Sequence, residues 1–315
     1  MLLTPEVLTL SILNILFVIF ATLAFVLSIK IYLNWDMNST SKKQYQLEKY
    51  SFLNAIVIKY IFFIKIPLFL FFIFTLDKIS DILTGAMCSA GVIDATEYGT
   101  YLIVLKIINL YLFAYWLKLH KQDIEDEKQP YTKLKFGIFI VLYLFFMFEI
   151  ALEGIMFYSI DINQLVSCCS SIYSSSSTSA ISTIFSFNTT TLLSIFYGNF
   201  FLIIIFYFLQ NRYLFALLNI IFIITALITL IAFFGTYIYE LPSHHCPLCF
   251  LKREYNYIGY LIYLLLFIGT FYGLSVALLK KSRKNYKISL IFNSLYVMLL
   301  TLIIIVYYIK NGVLL

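Results

Sequence analysis

Within six residues, His244-His245-Cys246-Pro247-Leu248-Cys249 sets two imidazoles beside two thiols. The chain holds three further cysteines, Cys88 and the adjacent pair Cys168-Cys169. Thiolates and imidazoles are ligands of soft transition metals, and thiols also carry redox chemistry. A Cys-x-x-Cys spacing lets two sulfurs converge on one ion, and His244 or His245 adds a nitrogen from the same segment. One sulfur from Cys88, Cys168 or Cys169 would complete a centre suited to copper or zinc. Asp94, Glu97 and Glu240 are candidate acceptors for the second ring nitrogen of a ligating histidine. The vicinal pair Cys168-Cys169 can close a strained disulfide, or capture a thiophilic ion on its own as a second transfer site. A purely structural use also stands. Disulfides among Cys88, Cys168, Cys169, Cys246 and Cys249 would clamp loops, and an odd count of five leaves one thiol over within a monomer.

The segment Cys246-Pro247-Leu248-Cys249-Phe250-Leu251-Lys252-Arg253 opens a helix after a loop. It resembles the Cys-x-x-Cys-x-x-x-Arg segment of the DsbB family, quinone-linked four-helix membrane enzymes that oxidise periplasmic thiols. The resemblance covers eight residues. It implies a thiol–disulfide oxidoreductase with Cys246 and Cys249 as catalytic thiols, a quinone acceptor, and Arg253 beside the quinone. That family spreads its second cysteine pair along a later outer loop, whereas Cys168 and Cys169 are adjacent and come earlier. The chain also has more spans than that family. Phe250 rather than His follows Cys249, so the c-type haem pattern is absent. No phosphate-binding glycine loop, dinucleotide fingerprint or hydrolase elbow occurs, which argues against a nucleotide-driven pump.

The elements that must position these groups are membrane helices. Of 315 residues, 62% are hydrophobic and 12% charged, about half the charged share of a soluble domain. Long uninterrupted apolar runs favour helices over a barrel, whose strands would alternate with period two. Eight runs have the roughly 20 apolar residues that cross a bilayer. They lie near 6–33, 51–76, 100–118, 136–158, 191–209, 214–238, 257–279 and 288–309. The expectation is an all-α polytopic integral membrane protein of about eight transmembrane helices, with residues 1–315 forming one helical domain. Its cysteines lie in three loops, 77–99, 159–190 and 239–256. The link at 210–213 is short enough to force an antiparallel hairpin. Gly85, Gly91 and Gly99 let the acidic loop around Cys88 turn tightly. Residues 119–135, with His120, read as a solvated loop.

Lys and Arg set the orientation. Fifteen cluster on alternate connections, at Lys30, Lys42, Lys43 and Lys49, then Lys118, Lys121, Lys128, Lys133 and Lys135, then Arg212, then Lys280, Lys281, Arg283, Lys284 and Lys287. The other side has four, Lys78, Lys252, Arg253 and Lys310. The basic side is therefore expected to face the cytoplasm. That makes both termini, and all three cysteine-bearing loops, extracytoplasmic. No Lys or Arg precedes the first helix, which fits an outward N-terminus and argues against a cleaved signal peptide. The net charge of +6 follows from this bias and calls for no nucleic acid. The Lys-, Asn-, Ile- and Phe-rich usage fits an AT-rich bacterium, so the expected location is a bacterial inner membrane.

Inside the spans lie three lysines, Lys65 and Lys106 in the same outer half as two acids, Glu149 and Glu153, and Lys59 nearer the inside. The acids are four residues apart and so share one helical face. Charge in lipid is costly, so these groups should point into the bundle. Lys65, Lys106, Glu149 and Glu153 then form either a register-fixing ion-pair network or a polar pathway under the outer loops. Asn199 and Asn219 extend such an interior or bond between helices. The leading expectation is extracytoplasmic binding or transfer of a soft metal, copper first, with an extracytoplasmic metal- or thiol-carrying protein as partner. The rivals are the quinone-linked oxidoreductase and a non-catalytic subunit whose disulfides staple its loops.

Overall fold

The computed structural model describes residues 4–36, 39, 41–86, 88–161, 188–242, 244–278 and 283–315. Every regular element among them is helical. Eight helices are long and apolar enough to cross a membrane. We number them with one short extra helix: α1 Pro5–Asn34, α2 Lys42–Ser80, the short α3 Ser89–Asp94, α4 Gly99–Glu125, α5 Thr132–Ser159, α6 Thr189–Leu209, α7 Arg212–Tyr239, α8 Ile258–Leu278 and α9 Arg283–Asn311.

The ends of these helices follow their local chemistry. Ser41 caps α2 by accepting from the Gln44 N–H, which starts that helix nine residues before its apolar run. At 39 residues, α2 is roughly 58 Å long, well beyond the hydrocarbon core. Between α6 and α7 only two residues intervene. Gln210 takes a left-handed conformation (φ 53°) that ends α6, and Asn211 caps α7 through the Leu214 N–H. The link is therefore the tight turn expected there, with Arg212 and Tyr213 already helical.

Contacts divide the chain into two compact units, Met1–Thr84 with Val92–Gln164, and Gly85–Gly91 with Leu165–Leu315. In the first, α1 packs on α2, α2 on α4, α4 on α5 and α5 back on α1. Its buried centre is aromatic, with Phe62 stacked on Phe113 at 4.3 Å and edge-on to Trp116 at 5.5 Å. In the second, α6, α7, α8 and α9 close a similar ring. Phe196 lies at its centre between Phe222 and Phe234, 5.5 and 5.4 Å away. Two glycines let α8 approach its neighbours. A Cβ on Gly273 would sit 2.2 Å from Asn219, and one on Gly269 2.1 Å from Asn293. Those asparagines bond across the helices, Asn293 Nδ2 donating to Asn219 Oδ1 at 2.9 Å. Asn199 donates to the Leu218 carbonyl. Both sequence-flagged asparagines thus serve helix–helix hydrogen bonding.

The stretch 119–135 differs from the solvated loop expected of it. The helix α4 continues to Glu125, and His120 is buried against Trp116 with ring centroids 5.1 Å apart. Asp123 is fully buried, pairing with Lys135 Nζ at 2.5 Å and accepting from the Tyr131 N–H and the Thr132 hydroxyl. Mixed charge looked like solvation in the sequence; here it satisfies the turn between two helices from inside.

Candidate metal centre

The thiol site belongs to the second unit. Cys88 lies just before α3, and Gly85, in a left-handed conformation at φ 94°, turns the chain three residues earlier. Cys246 and Cys249 follow α7 on a short connection that ends in two single-turn 3₁₀ helices, Cys249–Leu251 and Arg253–Tyr255. Within α7, residues 230–234 form a π turn, an irregularity that recurs at functional sites. Its Ile231 carbonyl accepts from His245 Nδ1 at 3.1 Å.

Tyrosines hold the cysteine segment in place. The Tyr239 hydroxyl donates to the Cys246 carbonyl and accepts from the Phe250 N–H. The Tyr263 hydroxyl donates to the Pro247 carbonyl. Gly259 lets α8 come up beneath the turn, since a Cβ there would lie 2.6 Å from the Phe250 ring and 2.9 Å from its carbonyl. These contacts order a segment with little regular hydrogen bonding of its own.

The result brings three sulfurs together. Cys88, Cys246 and Cys249 are all buried as thiols, with sulfurs within 4.8 Å of one another. The Cys88 and Cys246 sulfurs are 3.4 Å apart, well beyond the about 2.05 Å of a disulfide bond. An ion about 2.3 Å from each of three thiolates would hold them about 4 Å apart. The cluster therefore needs only small shifts to hold a metal ion.

The histidines lie next to that set rather than in it. His244 stands edge-on to Tyr239 at 4.3 Å, and its Nε2 is buried without a hydrogen-bond partner. An unsatisfied buried polar atom costs about 1–3 kcal/mol. Burial holds the His244 imidazole below its ordinary range; nearby Cys88 pulls the other way, and His245 adds to the lowering. Burial lowers His245 too, against the opposing hydrogen bonds to the Ile231 and Pro242 backbone. Both shifts favour the neutral imidazole, the form that binds metal. Burial, with Cys249, Glu254 and Cys246 behind it, raises the Tyr255 phenol.

Of the other expected residues, Arg253 is exposed on its 3₁₀ turn. Glu240 pairs with Lys310 at 2.6 Å, so its carboxylate is already engaged. Asp94 and Glu97 belong to the first unit. Cys168 and Cys169 lie outside the described residues. Beside the cysteine segment an open cavity of about 580 Å³ is lined by Tyr237, Tyr239, Tyr255 and Tyr307, apolar side chains, the Glu240–Lys310 pair, Glu254 and Asn256.

The intramembrane charges converge within the first unit. Lys106 Nζ contacts Glu153 Oε2 at 2.6 Å and Glu149 Oε1 at 2.9 Å, and Lys65 Nζ reaches the same Glu149 oxygen at 3.1 Å. Two asparagines that the sequence reading passed over complete the set. Asn14 donates to Glu153 and accepts from Lys65, and Asn109 donates to Glu149 at 2.6 Å. Lys106 also lies over the Phe72 ring at 4.3 Å. Two ammonium and two carboxylate groups balance, and the gap among them is about 10 Å³, room for one water at most. That is the geometry of a closed ion-pair network holding α1, α2, α4 and α5 in register. Lys59, on another face of α2, is exposed.

Tyr239 and Tyr263 carried no sequence signal among 26 tyrosines, since nothing in their spacing sets them apart. Asn14 and Asn109 did carry one, a lone amide in an apolar run. No family model, curated protein or solved structure matches this chain.

Proposed function

We propose that the second unit is a soft-metal module of a bacterial inner-membrane protein, binding one ion on Cys88, Cys246 and Cys249 for delivery or permeation. The observation that carries this reading is the convergence of three buried sulfurs from segments 158 residues apart. Sulfur ligands without carboxylates select soft ions, and copper(I), content with three thiolates, is the first candidate. The charge bias supports an extracytoplasmic centre, where a metal-carrying protein would meet it.

The test is metal content. Protein purified with reductant and loaded with copper(I) against a competing chelator is expected to hold roughly one ion per chain more than Cys246→Ser, because the two thiols left at this centre close no three-sulfur site. Equal copper in the two proteins rejects the reading.

A second reading is supported by two specific observations. The thiol-bearing unit is itself a ring of four helices, the number in the quinone-linked thiol oxidases whose motif Cys246–Arg253 resembles. The tyrosine-lined cavity beside the segment has the size and lining of a site for an aromatic head group. In that case Cys246 and Cys249 form a disulfide while their two electrons and protons reduce a quinone to a quinol. Quinol formed from added dithiol by metal-free protein, and lost in Cys249→Ser, marks this chemistry; metal binding alone does not produce it.

A further inference from the structure

Adjacent in sequence, His244 and His245 are used differently by the fold. Backbone carbonyls hold the His245 ring, Ile231 at 3.1 Å and Pro242. The His244 ring has no such anchor at Nε2, which is buried and unpartnered. Its position is nevertheless defined. It packs edge-on against Tyr239, whose hydroxyl fixes the Cys246 carbonyl two residues further along. It also lies within electrostatic reach of Cys88, one of the three clustered thiols. A buried polar nitrogen with no partner calls for a water or an ion, and the nearest chemistry here is a set of soft-ion ligands.

We propose that His244 Nε2 is the fourth ligand of the centre, closing a three-sulfur, one-nitrogen shell that holds a divalent ion of the zinc class. This rests on the thiol centre proposed above and widens the ions it takes. Four ligands of this kind are the ordinary tetrahedral complement for zinc, whereas copper(I) is satisfied by the sulfurs alone. A neutral imidazole adds a ligand without adding charge to three thiolates. Since His244 lies outside the 4.8 Å sulfur set, its ring swings inward on loading. His245, tied to the backbone, stays where it is and keeps the segment on α7.

Cobalt(II) is the probe, because it absorbs strongly in the visible when held tetrahedrally by thiolates. Reduced full-length protein in detergent is titrated with cobalt(II) and, separately, with copper(I) against a competing chelator. The wild type is expected to give the tetrahedral bands. His244→Gln is expected to shift them and weaken cobalt binding by about tenfold or more while keeping its copper(I). His245→Gln is expected to keep the bands unchanged. A His244→Gln protein with wild-type bands and affinity overturns the inference, as does equal loss in both variants, which would mean the segment had simply come loose. Wild-type protein that takes copper(I) but never shows tetrahedral cobalt(II) overturns the inference and leaves the three-sulfur reading intact. Protein that takes up neither ion rejects both.

Discussion

Burial disfavours protonation of both members of the His244-His245 pair, so the folded chain takes up those protons less readily than the unfolded one. The sign follows from that difference. Stability is full above the ordinary histidine value of 6.5 and declines as pH falls below it, because the unfolded state then binds more protons. Metal-free protein should therefore lose melting temperature on acidification from about pH 7 to about pH 5. His245→Gln should flatten that decline, since the amide still donates to the Ile231 carbonyl but cannot be protonated. Melting curves by intrinsic fluorescence decide it; parallel pH profiles for the two proteins would show that burial of this ring has no such linkage. Metal loading should weaken over the same range, because thiols must shed protons to ligate.

Hydropathy locates the part of a helix that lies in lipid and says little about where the helix stops. The helix α2 begins at Lys42 and α4 ends at Glu125 because Ser41 caps the one and the Asp123–Lys135 turn finishes the other. Polar residues leave the hydrocarbon without leaving the helix. The same principle accounts for the charges in the first unit. Each helix alone would carry an expensive group, and the ring of four satisfies Lys65, Lys106, Glu149 and Glu153 together. Removing one member leaves the others buried and unmatched. Lys106→Met is therefore expected to destabilise by about 3–5 kcal/mol, and adding Glu153→Gln to recover part of the loss. Thermal unfolding in detergent checks both steps; a single variant as stable as wild type would mean that water reaches these groups. Their balance of charge and water-sized gap fit a structural role rather than a path for ions.

Two rings of four helices make up the described molecule, and their chemistry is segregated. Buried charge pairs fill the first, buried thiols and tyrosines the second. Sidedness belongs to the whole chain, and the expectation for it rests on fifteen basic residues on one set of connections against four on the other. Two exposed positions on opposite predicted faces test it. Tyr257→Cys, at a site 52% exposed, should react with a membrane-impermeant maleimide in intact cells. Lys128→Cys should react only after permeabilisation. The increment over the parent protein isolates each new thiol from the buried ones, and the reverse pattern would place the metal centre on the cytoplasmic side.

The sequence alone determined the class of the fold, because lipid offers no hydrogen bonds and each span must satisfy its own backbone along a run of apolar residues. It also singled out the chemistry, since Cys246, Cys249 and the paired histidines are conspicuous in a chain so poor in polar groups. Tertiary structure decided which groups meet. Nothing in the spacing says that Cys88 approaches Cys246, for the separation is 158 residues and loop length barely constrains such closures. Nor does adjacency show that His245 turns to a backbone carbonyl while His244 keeps an open nitrogen. Those outcomes depend on Tyr239, Tyr263 and Gly259 packing the segment onto two helices, contacts that exist only once the ring has closed.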